Sequence, residues 1–366
     1  MSGGPAALEL AQDLVRLDTA AGREEQAIDL VAGILDGAGF ELTRVPWQPS
    51  RPNLVARWRG GGPLTLAAHL DTVPFDAQGW TVDPLGGDII DGRLYGRGSS
   101  DMKAGAAAMV RAALDAAADG AAPFTLVFTS AEETGCEGAR AVAASGLLDP
   151  APTLIIGEAT GNDVFFGHKG ATWLELVVTG RSAHGSRPEL GDNAVHRLAD
   201  AIAAARDRPA APPHPVLGPL TTNVGTISGG QQTNLVPDRA ALTIDVRTVP
   251  GQDASDIASL LTSASGGEVR SILDVPTVWT DPGSALSARV AETVEAITGR
   301  RSRPAAVAYF TDGAVLADVA APSAYIIGPG DIDQPHTSDE WCAVERIEEA
   351  TAIYRALLHR LSGPDG

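Results

Sequence analysis

LTLAAHLDT (64–72), DMKAGAAAMVRAALDAAADG (101–120), FTLVFTSAEE (124–133), GARAVAASGLL (138–148) and TLIIGEA (153–159) succeed one another along the chain. The first, third and fifth are short apolar runs of strand length, while the second and fourth space their apolar residues at the helical period. Strands alternating with helices predict an α/β fold, a mostly parallel sheet with helices on both faces. Upstream, ALELAQDLVRL (7–17) and EEQAIDLVAGILDGAG (24–39) read as helices, the second punctuated by Gly37 and Gly39, and NLVARW (53–58) reads as a strand. Asp101 falls near the N-cap of the long helix that follows a Gly-rich approach.

Near Thr172 the pattern changes. WLELVVTG (173–180) alternates with period two, and is followed by a helix (193–207), strands at 222–228 and 242–249, a helix (254–264) and a strand (268–273). This β-α-β-β-α-β order is that of a ferredoxin-like α+β unit. Pro209 to Pro219 reads as a loop within it. From about Pro282 the alternation resumes, ending in the amphipathic VERIEEATAIYRALLHRL (344–361). The organisation expected is a first part of one domain at 1–171, an inserted domain at 172–280 and a second part at 281–366.

A chain of 366 residues is long enough for two or three domains with large cores. With 27 Lys+Arg against 46 Asp+Glu, the net charge of −19 opposes binding to nucleic acid or an anionic bilayer. The apolar runs fall short of the roughly 20 residues needed to span a membrane. Two cysteines make no disulfide framework, and the N-terminal residues lack the pattern of a secretory signal, so the expected compartment is the cytoplasm.

His69 and Asp71 stand two apart at the end of an apolar strand and share a face, an arrangement in which a carboxylate orients a metal-bound imidazole. Asp101, taken alone, reads first as a helix cap. Glu132 and Glu133 are adjacent carboxylates that repel each other and usually lie in solvent; beside a cation that repulsion is offset. Glu158 ends another apolar strand, and His336 follows the strand in SAYIIG. His69, Glu132, Glu133, Glu158 and His336 thus fall at the C-terminal ends of predicted strands, where open α/β sheets bind ligands. Two imidazoles and several carboxylates suit zinc, or cobalt or manganese in its place.

HLDTVPF (69–75), YGRGSSDMKAG (95–105), SAEETG (130–135), IIGEAT (155–160), GRSAH (180–184) and GPGDIDQPHTSDE (328–340) resemble, in order and spacing, the motifs of the di-zinc aminoacylase and carboxypeptidase family. That family includes acetylornithine deacetylase and succinyl-diaminopimelate desuccinylase, and the resemblance runs from about Leu8 to Leu361. It implies two zinc ions bridged by Asp101, one completed by His69 and Glu158, the other by Glu133 and His336. It also implies that Asp71 orients His69, that Glu132 is the general base, and that the peptide after Asp101 is cis. His184 matches a histidine that, in dimeric members, reaches the partner subunit's site and stabilises the oxyanion; its plain reading is a surface-loop residue. Arg247 matches an arginine that receives the substrate carboxylate, against the plain reading of a strand arginine in a salt bridge. Asn234, Thr311, Asp312 and Gly313 match further substrate-side positions. His168 and Lys169, in the loop leading to the inserted unit, read as solvated, with facing an anionic substrate as the alternative, and Cys136 reads as a small filler.

The implied activity is metal-dependent hydrolysis of the amide of a small N-acyl amino acid, most like acetylornithine. Release of a terminal residue from a peptide, hydrolysis of longer acyl chains, and a metal-binding scaffold without turnover are the alternatives. Ala159, where many relatives have Pro, and the lack of Asn before His336 depart from the family pattern; the second argues against a desuccinylase. The inserted unit offers an edge strand and a helix face for two-fold pairing, so a homodimer is expected.

Overall fold

The computed structural model describes residues 4–362 apart from 21 and 149. The chain divides into two compact units: one holds the sequence up to Gly167, Val278–Ala305 and the sequence from Thr311, the other His168–Thr277 with Ala306–Phe310.

The larger unit is built on a six-stranded sheet. Its strands, in spatial order, are β1 (Glu41–Gln48), β2 (Arg51–Trp58), β6 (Phe124–Thr129), β3 (Leu64–His69), β7 (Thr153–Ile156) and β14 (Ala324–Ile326). β6, β3, β7 and β14 run parallel, whereas β1, β2 and β6 pair antiparallel in sequence. Every residue of β3, β6 and β7 is buried. Successive strand residues point to opposite faces, so both faces of these three strands are covered.

Helices α1 (Ala7–Arg16), α3 (Ala104–Ala118), α7 (Ala285–Thr298) and α9 (Val344–Leu361) pack together, α2 (Glu25–Asp36) lies against β1 and β2, and α4 (Glu137–Ala144) packs on α8 (Gly313–Ala320). The buried surface of helix α3 is mostly alanine and glycine, which lets it approach the sheet closely. A Cβ on Gly105 would lie 2.3 Å from the Gly157 carbonyl oxygen, so only glycine fits where the helix crosses the end of β7.

Several short or exposed elements escape the sequence reading. β1 is largely exposed and contains Pro46, so it shows no clean alternation. Inside the Asp- and Gly-rich loop, β4 (Ile89–Ile90) and β5 (Arg93–Tyr95) join β15 (Trp341–Ala343) in a three-stranded antiparallel sheet of very short strands. A ribbon of β8 (Gly167–His168) and β13 (Val278–Trp279) completes the strand pairs near the unit boundaries.

The smaller unit has the predicted β-α-β-β-α-β order. β9 (Gly170–Thr179), α5 (Ala194–Arg206), β10 (Thr221–Gly229), β11 (Arg239–Thr248), α6 (Ser255–Ser265) and β12 (Glu268–Val275) form a sheet ordered β10-β11-β9-β12, antiparallel throughout. The edge strand β10 is almost wholly exposed, with Ile227 at 61%. Among the described residues, no helix is long and apolar enough to cross a membrane.

Candidate metal centre

The central strand β3 delivers His69, 1% exposed, to the C-terminal edge of the parallel strands. Its neighbour β6 leads into the loop with Glu132 and Glu133, and its other neighbour β7 leads into Glu158. His336, with a left-handed φ of 65°, comes from the loop beyond β14. The sheet order therefore gathers residues up to 267 positions apart, His69 to His336, at one edge.

Asp101 reaches the same place by another route. It does not cap α3: the helix begins at Ala104, and Asp101 has φ −123° and ψ 90° in an irregular turn before it. The peptide to Met102 is cis. The turn frees the Asp101 side chain from a capping role and points it at the histidines. Its Oδ1 lies 3.0 Å from His69 Nε2 and its Oδ2 lies 3.5 Å from His336 Nε2.

His69 Nε2 is also 3.3 Å from Glu158 Oε1, and His336 Nε2 is 3.0 Å from Glu133 Oε2. Asp71 serves both sides of the cluster. Its backbone carbonyl is 3.0 Å from His69 Nδ1, closer than its carboxylate at 3.5 Å, while that carboxylate accepts the backbone N–H groups of Glu132 and Glu133, both at 3.1 Å. Asp71 thus presents both its carbonyl and its carboxylate to His69, and its side chain bonds to the backbone of the two glutamates.

The electrostatics call for positive charge. Burial pushes the Glu132 carboxyl well above its ordinary range, with the Glu133, Glu158 and Asp312 charges adding to the shift. Burial raises Glu158 to about 8, reinforced by Asp101, and raises Glu133 as well. Burial opposes the charged form of His69, but the Glu158 charge and the bonds to Asp101 and Asp71 outweigh it and hold the imidazole well above its usual value. Burial likewise works against the Asp101 carboxylate, and the neighbouring imidazoles hold it below its usual range nonetheless. Repelling carboxylates in a buried site are stabilised by bound cations.

The donors fit metal ions. Ligand atoms of His69, Glu132 and Glu158 lie within 4.8 Å of one another, as do those of His69, Asp101 and Glu133. These are nitrogen and oxygen donors of the kind that hold zinc, cobalt or manganese. The buried Cys136 thiol, 4.0 Å from Glu132 Oε1, is kept protonated by burial first and by the Glu132 charge. The tight groups place Glu132 among the donors, where the resemblance makes it a base, and they leave out His336, whose side chain is 54% exposed.

A model of peptidase family M20/M25/M40 matches residues 65–360. The chain is 32% identical to a succinyl-diaminopimelate desuccinylase of Rhodospirillum centenum, covering 97% of both chains. It belongs to peptidase family M20/M25/M40. This M20 member is also 33% identical to an acetylornithine deacetylase of Edwardsiella ictaluri, over 92% of this chain and 90% of that one. Its fold matches the crystal structure of aminopeptidase PepT from Bacillus cereus at a TM-score of 0.81, with 20% identity over 98% of each chain. The M20 chain is therefore a hydrolase of amide bonds. Near-equal identity to a desuccinylase and a deacetylase does not separate the acyl groups.

The remaining residues matched to this M20 family fall in two places. In the larger unit, Thr311, Asp312 and Gly313 are buried. The Thr311 hydroxyl oxygen accepts the Gly313 N–H at 3.0 Å, and Asp312 accepts the Thr129 hydroxyl. In the smaller unit, His184, Asn234 and Arg247 are all at least partly exposed. Gly185 N–H donates to the Asn234 carbonyl at 2.7 Å, bringing the His184 and Asn234 loops together. Ser186 N–H donates to His184 Nδ1 at 3.1 Å, and the Ser186 hydroxyl oxygen lies 2.7 Å from the same nitrogen. Arg247 makes the salt bridge of its plain reading, Nε to Asp245 at 3.1 Å, and lies 5.9 Å from the Phe310 ring.

His168 and Lys169 are not a solvated loop. Both are buried, and burial pushes His168 down to about 4, so its ring is neutral. Lys169 Nζ donates to the Pro219 carbonyl at 2.7 Å, and burial followed by the Arg247 charge holds it below its usual value. Sequence reasoning also passed over Glu340, Arg97 and Lys103, although all three stand inside the quoted motifs. Lys103 Nζ donates to the Leu17 carbonyl at 2.8 Å, and its burial lowers it to about 7.

Proposed function

We propose that this M20 hydrolase cleaves the amide of a small N-acyl amino acid, an N-acetylated one of the acetylornithine type first, with Glu132 as general base. One observation carries the reading. Asp101, Glu133 and Glu158 each have an imidazole within 3.5 Å, whereas Glu132, 5% exposed, makes no ion pair within 4 Å among the described residues, its Oε1 facing the weak Cys136 thiol donor at 4.0 Å. A carboxylate at the cluster without an imidazole partner can take a proton, and its raised pKa suits that task.

Two divalent ions, zinc with cobalt or manganese as substitutes, held by His69, Asp101, Glu133, Glu158 and His336, would supply Lewis acidity and acidify the attacking water. Glu132 takes the proton of that water and returns it to the leaving amine. His184 is the donor for the oxyanion, contributed by a partner subunit in a homodimer. Arg247 and Lys169 are two cations whose mutual repulsion an α-carboxylate would relieve, with Arg247 able to bind it through two parallel hydrogen bonds. Asn234, Thr311, Asp312 and Gly313 complete the substrate side in this reading.

The test is amine release from N-acetyl, N-succinyl, longer N-acyl and dipeptide substrates with zinc or cobalt supplied. Cleavage confined to N-acetyl amino acids, with R247A losing its preference for a free α-carboxylate, supports the reading. Preference for dipeptides or long acyl chains overturns the substrate assignment, and an unchanged preference in R247A removes Arg247 from it. For the homodimer, the exposed edge strand β10 is the pairing surface; light scattering is expected to give twice the chain mass, and a monomer would count against it.

A further inference from the structure

Glu340, four residues after His336, is fully buried and its carboxylate accepts hydrogen bonds from four donors of one loop. Oε2 accepts Arg97 Nη1 at 2.7 Å and Gly98 N–H at 3.0 Å; Oε1 accepts Ser100 N–H at 2.8 Å and Asp101 N–H at 3.0 Å. The loop it grips is unusual: Gly98 is left-handed at φ 82°, and a Cβ there would meet Thr72 Cγ2 at 2.7 Å. None of these N–H groups has a helical partner, because α3 starts only at Ala104. The strand pairing of β15 with β5 brings Glu340 into place, and the Gly96 N–H to Glu340 carbonyl bond of 2.9 Å extends that pairing by one step.

We infer that Glu340 is a positioning residue of the metal centre: its carboxylate fixes the backbone that presents Asp101 and ties it to the segment that bears His336. Asp101 comes from position 101 and His336 from the far end of the chain, and their side chains must meet within a few tenths of an ångström to share an ion. The sheet order brings the two segments near each other, but strands of only three residues leave the backbone from Gly98 to Asp101 outside the pairing, with no ladder bonds to hold it. A single carboxylate bonded to four donors at once removes that freedom. Charge-assisted bonds to backbone N–H groups are short and directional, which suits a clamp. The Arg97 guanidinium, over the Trp80 ring at 5.2 Å, balances the buried charge. Glu340 itself stays away from the reacting atoms and acts through Asp101.

This inference rests on the assignment of Asp101 as a metal ligand, and the experiment separates the two. Metal-free wild-type, E340Q and E340D proteins are titrated with cobalt(II), followed by calorimetry and by visible absorption, with kcat and KM measured after loading. Glutamine keeps the shape but turns an N–H₂ group toward two of the four donors. In E340Q the affinity for cobalt is expected to fall about 10- to 100-fold, the size of effect typical of groups that orient metal ligands. The cobalt absorption band should shift, and kcat should fall more than KM rises. Wild-type affinity and spectrum in E340Q would overturn the inference. If E340Q does not fold, E340D decides: it keeps the charge but withdraws it by one methylene, so a wild-type spectrum and affinity there would overturn the inference equally. A wild-type protein that binds no cobalt would instead defeat the metal-site reading itself.

Discussion

E132Q is expected to lose about 10²- to 10⁴-fold in kcat on whichever N-acyl amino acid the wild type prefers, the range for removal of a general base. The effect is large because nothing nearby can take over. The Glu133 and Glu158 carboxylates sit within 3.3 Å of imidazoles, Asp71 is bonded to two backbone N–H groups, and the Cys136 thiol is held protonated by burial and the Glu132 charge. Glutamine preserves volume and leaves the Asp71 bond to the backbone of residue 132 intact. The same variant decides between the two roles the geometry offers, since Glu132 lies in one of the tight donor groups. A base predicts wild-type metal content with lost turnover; a ligand predicts that about one ion per chain is lost. Turnover within a few fold of wild type would remove Glu132 from the chemistry.

Removal of metal by a chelator should abolish hydrolysis altogether and lower the thermal midpoint. Five titratable side chains, His69, Asp101, Glu132, Glu133 and Glu158, lie at one sheet edge with carboxylates in excess over imidazole. Each ion held at 100 times its dissociation constant stabilises the native state by about 2.7 kcal/mol. In a domain of about 150–250 residues each kcal/mol shifts the midpoint by about 2–4 °C. A fall of roughly 5–10 °C per ion is therefore expected on chelation, reversed by zinc or cobalt and not by magnesium, which prefers an all-oxygen octahedral shell. Full activity after exhaustive chelation, verified by metal analysis, would overturn the metal-dependent mechanism.

The residues involved show how far local pattern reaches. Alternation of strand and helix between Leu64 and Ala159 was legible because apolar period depends on neighbours in sequence, and it placed His69, Glu132, Glu133 and Glu158 at strand ends. The strand in SAYIIG placed His336 likewise, and the motif resemblance gave Asp101, at a helix start, the role of a bridging ligand. The helix cap expected at Asp101 failed because the turn before Ala104 is held by Glu340, 239 residues away, and no local rule reports a distant acceptor. Lys169 looks like a loop residue by polarity, yet it is buried with its ammonium on the Pro219 carbonyl, a contact only the folded sheet creates.

The sequence by itself determined the fold class, the β-α-β-β-α-β order of the second unit, the acidic character that disfavours nucleic acid, and the family to which the chain belongs. These follow from periodicity, composition and motif spacing, all short-range or summed quantities. Tertiary structure decided which carboxylates face imidazoles and which one does not, that Asp71 fixes the Glu132–Glu133 backbone with its side chain while its carbonyl faces His69, and that Glu340 clamps the loop of Asp101. Each of these depends on hydrogen-bond distances between strands brought together by sheet order, and a one-dimensional pattern contains no such distances.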